Sequence, residues 1–180
     1  MLAKTALVVA LGIGLAACAA PPPPALGPDG RPLPQLYEIG RGDTDRIQLR
    51  MLDGVNAVRD AAGARPVTLN AELTAAAATH SRDMSLQNRP WHFGSDGSSP
   101  VDRVRRVGYG GAMLGENISE TYETELETLA AWMEDPDTRE ILLDPRAQDL
   151  GFSWFQEPSG KIWWTLVTGR PGGDLVASAF

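Results

Sequence analysis

Ile162-Trp163-Trp164-Thr165-Leu166-Val167-Thr168 is the stretch that decides the fold. With side chains alternating along a strand, Ile162, Trp164 and Leu166 face one way and Trp163, Thr165 and Val167 the other. Both sets are largely apolar, so this strand must be covered on both sides. The strand before it runs from Asp149 to Gln156, and Glu157-Pro158-Ser159-Gly160 between them reads as a hairpin turn. A further short strand is expected near Met113 to Ser119. The sheet is therefore antiparallel and needs helices above and below.

Four segments supply them. Ile47, Met51, Val55, Val58 and Ala62 recur at intervals of four and three, with Asp43 or Thr44 as cap and Gly63 as the stop. Leu73, Ala77, His80 and Met84 form a second stripe after Asn70, which suits an N-cap. A short third helix is predicted from Pro100 to Val107, capped by Ser99 and ended by Gly108. The fourth runs from about Tyr122 to Met133, with Tyr122, Leu126, Leu129 and Met133 on one face. Glu123, Glu125 and Glu127 fall in its first turns, where negative charge suits the helix dipole. Asp137 to Leu142 adds one more turn.

The chain of 180 residues suits one domain with appendages, and a hydrophobic fraction of 43% excludes wholesale disorder. The net charge of −7, with arginines scattered rather than clustered among aromatics, argues against a nucleic-acid partner. Residues 1–18 read as a signal peptide: Lys4 is the positive start, and Ala6 to Leu15 is an apolar run too short to span a bilayer. Leu15-Ala16-Ala17-Cys18 resembles the bacterial lipobox, and Cys18 is the single cysteine of the chain. Lipidation there would hold the protein on a membrane without spanning it. Ala19 in place of aspartate favours the outer membrane in a Gram-negative host. Residues 19–42, with Pro21 to Pro24 and Arg31-Pro32-Leu33-Pro34, read as a proline-rich tether. The domain proper is expected over residues 43–170, and the tail 171–180 carries little signal.

Both histidines, His80 and His92, lie in one short window, and Gly115-Glu116-Asn117 follows. His80 sits on an inward stripe, where a lone histidine serves either as a core residue bonded to a carbonyl or as a ligand. His92 lies in a loop between Trp91 and Phe93 and can fold back over the same helix. Glu116 on its short strand would be costly if buried without a partner. Their spacing matches no local zinc motif. Gly108-Tyr109-Gly110-Gly111 follows a helix rather than a strand, which excludes a dinucleotide loop. Gly94 to Pro100 lacks the acidic ladder of a calcium loop, and Gly-x-Ser-x-Gly is absent, so serine hydrolase chemistry has no support.

Leu69-Asn70, Leu73, Ala76-Ala77, His80-Ser81-Arg82-Asp83-Met84, His92, Asp96-Gly97-Ser98-Ser99-Pro100, Asp102-Arg103, Gly108-Tyr109 and Gly115-Glu116-Asn117-Ile118 form an ordered set. Trp132, Pro136, Arg139, Ile141-Leu142, Gly151 and Trp164-Thr165 continue it. The set resembles the bacterial branch of the CAP superfamily (cysteine-rich secretory proteins, antigen 5 and pathogenesis-related proteins), whose module is also called the SCP domain. The resemblance covers about residues 45 to 170.

It implies an α+β fold, a three-layer α/β/α sandwich around a small central antiparallel sheet. It also implies an open cleft at which His92 and Glu116 match the two most characteristic positions, with His80 on a helix facing the same cleft. Where bacterial members carry Ser-Pro-x-His-Arg after their tryptophan, this chain has Asp135-Pro136-Asp137-Thr138-Arg139, so Thr138 replaces a histidine. Asp135, or less readily Glu134, is the candidate for the acidic group that eukaryotic members place there. Trp163 stands at the position of their strand histidine. The implied binding cleft is thus His80, His92, Glu116 and Asp135. Three readings follow. The leading one is a lipid-anchored binding module of the cell envelope, more a binder than an enzyme, with no residue assigned a catalytic role. Its ligand is a weakly held divalent cation, an envelope component, or a lipid or sterol-like molecule beside Trp91 and Phe93. The second is a metal-assisted envelope hydrolase in which His80 and His92 hold Zn²⁺ and Glu116 is third ligand or general base. The third is a buried structural cluster.

Overall fold

The computed structural model describes residues 36–172. The signal peptide, Cys18, the tether up to residue 35 and the tail from residue 173 lie outside the described residues. The elements run α1 (Thr44–Ala61), β1 (Thr68–Leu69), α2 (Ala71–Gln87), α3 (Pro100–Arg106), β2 (Ala112–Thr121), α4 (Glu125–Glu134), α5 (Pro136–Leu143), β3 (Asp149–Gln156) and β4 (Ile162–Arg170).

The four strands lie in the order β1-β3-β4-β2, which puts β4 inside the sheet with neighbours on both edges. Its two apolar faces serve two cores. Ile162, Trp164 and Leu166 pack with Ile47, Met51 and Val55 of α1, Leu129 and Trp132 of α4, and Leu142 of α5. Phe152 of β3 stacks on Trp164 with ring centroids 5.4 Å apart. On the opposite face Val167 meets Leu73, Ala76 and Ala77 of α2 and Val104 of α3. The result is the three-layer α/β/α arrangement, with β2, β3 and β4 antiparallel. Helix α2 lies very close to β3: a Cβ on Gly151 would come within 2.2 Å of the Leu73 backbone, so only glycine permits this approach.

The helix starts obey local chemistry. The Asn70 side chain accepts from Leu73 N at 2.9 Å, and Ser99 and Asp102 form a reciprocal capping box at the start of α3. Helix α2 ends on Asn88 in the left-handed conformation, φ 49°, one of the few side chains that tolerates it.

The structure differs from the sequence expectations at three points. Strand β1 is additional: it pairs parallel with β3 through Thr68 and Leu69, and two residues are too few to show a period. Helix α4 begins at Glu125 after a Thr124–Glu127 capping box, so Tyr122 precedes it and is exposed. Its buried face is Glu125, Thr128, Leu129 and Trp132, leaving Leu126 in solvent. The cause is Glu125, whose buried carboxylate accepts from Tyr37 Oη at 2.8 Å and meets Arg50 at 2.5 Å. Burial and this carboxylate push the Tyr37 hydroxyl up to about 12. Third, packing reaches upstream of residue 43. Tyr37 and Ile39 lie against the core, Gln156 Nε2 donates to Tyr37 O at 2.6 Å, and Ile39 N donates to Gln156 Oε1 at 2.9 Å.

Candidate functional site

Glu116 sits opposite Val167 in the β2–β4 register, so its carboxylate projects to the α2 side of the sheet. His80 comes down from α2 to the same place and is fully buried. Its Nε2–H donates to the carbonyl of Trp91 at 3.0 Å and lies 3.7 Å from Glu116 Oε1. A carbonyl can only accept, so the proton is on Nε2, and Nδ1 is left buried with no partner. Burial depresses the pKa of His80, which keeps the ring neutral.

The loop that carries His92 is strapped to α2. Asp83 accepts from the Ser95 backbone at 2.7 Å and from its hydroxyl at 2.6 Å. Gln87 accepts from Trp91 Nε1 at 2.8 Å and donates to Phe93 O at 3.2 Å. So held, His92 places Nδ1 2.9 Å from Glu116 Oε1 while half of its side chain stays in solvent. The carboxylate accepts, which assigns a proton to Nδ1; in the neutral ring Nε2 is then the bare nitrogen.

The residue that completes the site is Arg103 of α3. Its Nη2 donates to both oxygens of Glu116, at 2.9 and 2.7 Å, and its Nη1 donates to His92 O at 2.9 Å and Ser98 O at 3.3 Å. Arg103 is itself buried. It supplies the partner that a buried Glu116 requires, and it locks strand, loop and helix together. Sequence reasoning passes over it as part of the Asp102-Arg103 pair. The available signal is the demand of Glu116 for a counter-charge.

Asp135 is not brought to this cluster. It is exposed and caps α5, accepting from Asp137 N at 2.8 Å. Thr138 is likewise absorbed by the helix start: its hydroxyl donates to Trp132 O at 2.7 Å, and its carbonyl accepts from Asn117 Nδ2 at 2.9 Å. Glu134 is exposed at the end of α4. Trp163 is buried on the α2 side and donates from Nε1 to Glu157 at 2.7 Å.

The donor set does not fit a zinc ion held jointly by His80, His92 and Glu116. Zinc takes lone pairs from imidazole and carboxylate, yet both imidazole nitrogens turned toward Glu116 carry protons, and both carboxylate oxygens are bound by Arg103. Two unit charges about 4 Å apart repel by about 4 kcal/mol at an effective dielectric near 20, and a divalent ion beside a guanidinium by about twice that. Among the described residues no group of three or more His, Cys, Asp or Glu side chains is arranged to hold a metal. What the arrangement offers is one oriented imidazole backed by a neutralised carboxylate.

Comparison with known proteins agrees with the fold. The pattern of the cysteine-rich secretory protein family, CAP, matches residues 52–168. The chain is 28% identical over 121 residues to an uncharacterized protein, YkwD, of Bacillus subtilis, a match covering 67% of this chain and 46% of that one. It therefore spans less than half the length of that relative. Among solved structures it resembles an outer surface protein of Borrelia burgdorferi, with TM-score 0.66, 14% identity, and 72% of this chain and 96% of that chain covered. It also resembles an extracellular SCP-domain protein of Bacillus anthracis, with TM-score 0.65, 20% identity, and 74% and 45% covered. The family pattern over most of the domain, with this order of elements, places this chain in the cysteine-rich secretory protein (CAP) family.

Proposed function

We propose that this protein is a lipid-anchored, extracytoplasmic binding module whose ligand or envelope partner enters at His92. One observation carries the reading. Of the four residues in the charged network, His80, Glu116 and Arg103 are buried, and His92 alone is half exposed with a bare ring nitrogen. The surroundings are apolar and aromatic. Phe93 is exposed, Trp91 tilts against Phe93 at 5.5 Å, and Arg89 lies over the Trp91 ring at 3.8 Å. Such a rim suits a lipid, sterol-like or other envelope ligand with one polar group. The metal-assisted hydrolase finds no support in the donor arrangement.

The outer-surface and extracellular relatives support a place outside the cytoplasm. Attachment at Cys18 rests on the lipobox-like Leu15-Ala16-Ala17-Cys18; among the described residues no helix is long and apolar enough to cross a membrane. Cys18→Ala is expected to move the protein from the membrane pellet to the soluble fraction of the host. Unchanged retention in the pellet defeats the anchor. The released Cys18→Ala protein then allows the cleft to be tested by sedimentation with salt-washed envelope fragments. Adding His92→Ala is expected to weaken that binding about fivefold, the effect of losing one hydrogen bond of about 1 kcal/mol. Equal binding by the two proteins, with equal thermal stability, refutes the role given to His92.

A further inference from the structure

We infer that Arg103 is the resident cation of this cleft: it takes the place beside Glu116 that a divalent ion would need, and it leaves His92 Nε2 as a bare acceptor, making the site independent of metal. The guanidinium grips both oxygens of Glu116 and the carbonyl of His92, so one side chain sets the carboxylate and the loop bearing the imidazole. With Glu116 held in this way, Oε1 accepts the hydrogen bond of His92 Nδ1–H. His80, its Nε2–H spent on the Trp91 carbonyl, has no lone pair facing the cluster. A metal ion held between the two rings and Glu116 would have to displace a buried arginine and take lone pairs from ring nitrogens that carry protons.

The ligand group complementary to a bare Nε2 is a hydrogen-bond donor, a hydroxyl or an amide N–H. This class rests on the reading of His92 as the ligand-facing residue. The measurements below use neither ligand nor envelope, so they succeed or fail separately from the sedimentation test.

The full-length chain, purified in detergent and stripped with chelator, is titrated with Zn²⁺ by calorimetry beside His92→Ala, Arg103→Gln and Arg103→Lys. The wild type and Arg103→Lys are expected to show no saturable uptake, because each keeps a positive charge beside Glu116. Arg103→Gln is expected to show saturable zinc uptake, at least about tenfold tighter than the detection limit set by the wild type, once Glu116 is released. One zinc per wild-type chain, lost in His92→Ala, overturns the inference. So does a folded Arg103→Gln protein that binds zinc no better than the wild type. Nitrogen-15 spectra of the imidazoles at neutral pH stand even if Arg103→Gln fails to fold. The chain has two histidines, and His92→Ala assigns them. The wild type is expected to show His92 protonated on Nδ1 and His80 on Nε2. A proton on Nε2 of His92 overturns the assignment and reverses the ligand class.

Discussion

Replacing Arg59 by alanine is expected to cost the domain about 4 kcal/mol or more, from the loss of two buried and two part-buried hydrogen bonds to carbonyls, where an unsatisfied buried acceptor costs about 1–3 kcal/mol. Arg59 projects from α1 and is fully buried. Its Nε donates to Arg65 O at 2.7 Å, its Nη1 to Leu142 O at 2.7 Å and Asp144 O at 3.1 Å, and its Nη2 to Ala147 O at 3.2 Å. Several of these carbonyls belong to the last turn of α5 and the connection into β3, where a helix end has no donor partners of its own. The charge is thus solvated by backbone carbonyls, and it sits where the helix dipole favours a cation. Burial lowers the pKa of Arg59, but a guanidinium stays protonated in proteins. Alanine leaves these oxygens unsatisfied and opens a cavity between α1 and α5. Since a domain holds only about 5–15 kcal/mol of net stability, the variant should unfold at a much lower urea concentration, read by tryptophan fluorescence. Arg59→Lys should recover only part, because an ammonium lacks the planar fork. A loss below about 1 kcal/mol for the alanine variant would show that water or repacking satisfies those carbonyls.

Glu116→Gln is expected to be the second large loss, about 3–5 kcal/mol, the usual result of removing one partner of a buried ion pair. The amide keeps the shape and removes the charge, so Arg103 is left buried with no counter-ion. The informative comparison is the double variant Arg103→Gln, Glu116→Gln. Removing both charges is expected to restore much of the stability lost in Glu116→Gln alone, because the penalty lies in the orphaned guanidinium. Equilibrium unfolding of the four proteins in the cycle checks this. Additive losses with no coupling would show that the two side chains do not depend on each other. The outcome also bears on the cleft, since the same carboxylate orients His92.

Much of this architecture is legible from local patterns. The β4 run, apolar on both faces, requires helices on each side of the sheet. Asn70 and Ser99 mark helix starts because a cap depends on residues a few positions apart. His80 is readable as inward from its stripe. Helix α4 reads one face off because apolar spacing alone cannot anticipate that Glu125 is buried against Tyr37 and Arg50, residues far upstream. Asp135 enters the expected cleft on resemblance, whereas its own sequence, Asp-Pro-Asp, also fits the helix cap that it forms.

The sequence by itself determined most of the helices, the three longer strands, their layers and the need of Glu116 for a partner, because period, capping and the cost of a buried charge are properties of single segments. Only the tertiary structure decided that this partner is Arg103 and that His80 and His92 carry their protons on different nitrogens. These depend on how α2, α3, β2 and the His92 loop are docked against one another, and hydrogen-bond direction is set by whatever acceptor the docking brings within about 3 Å.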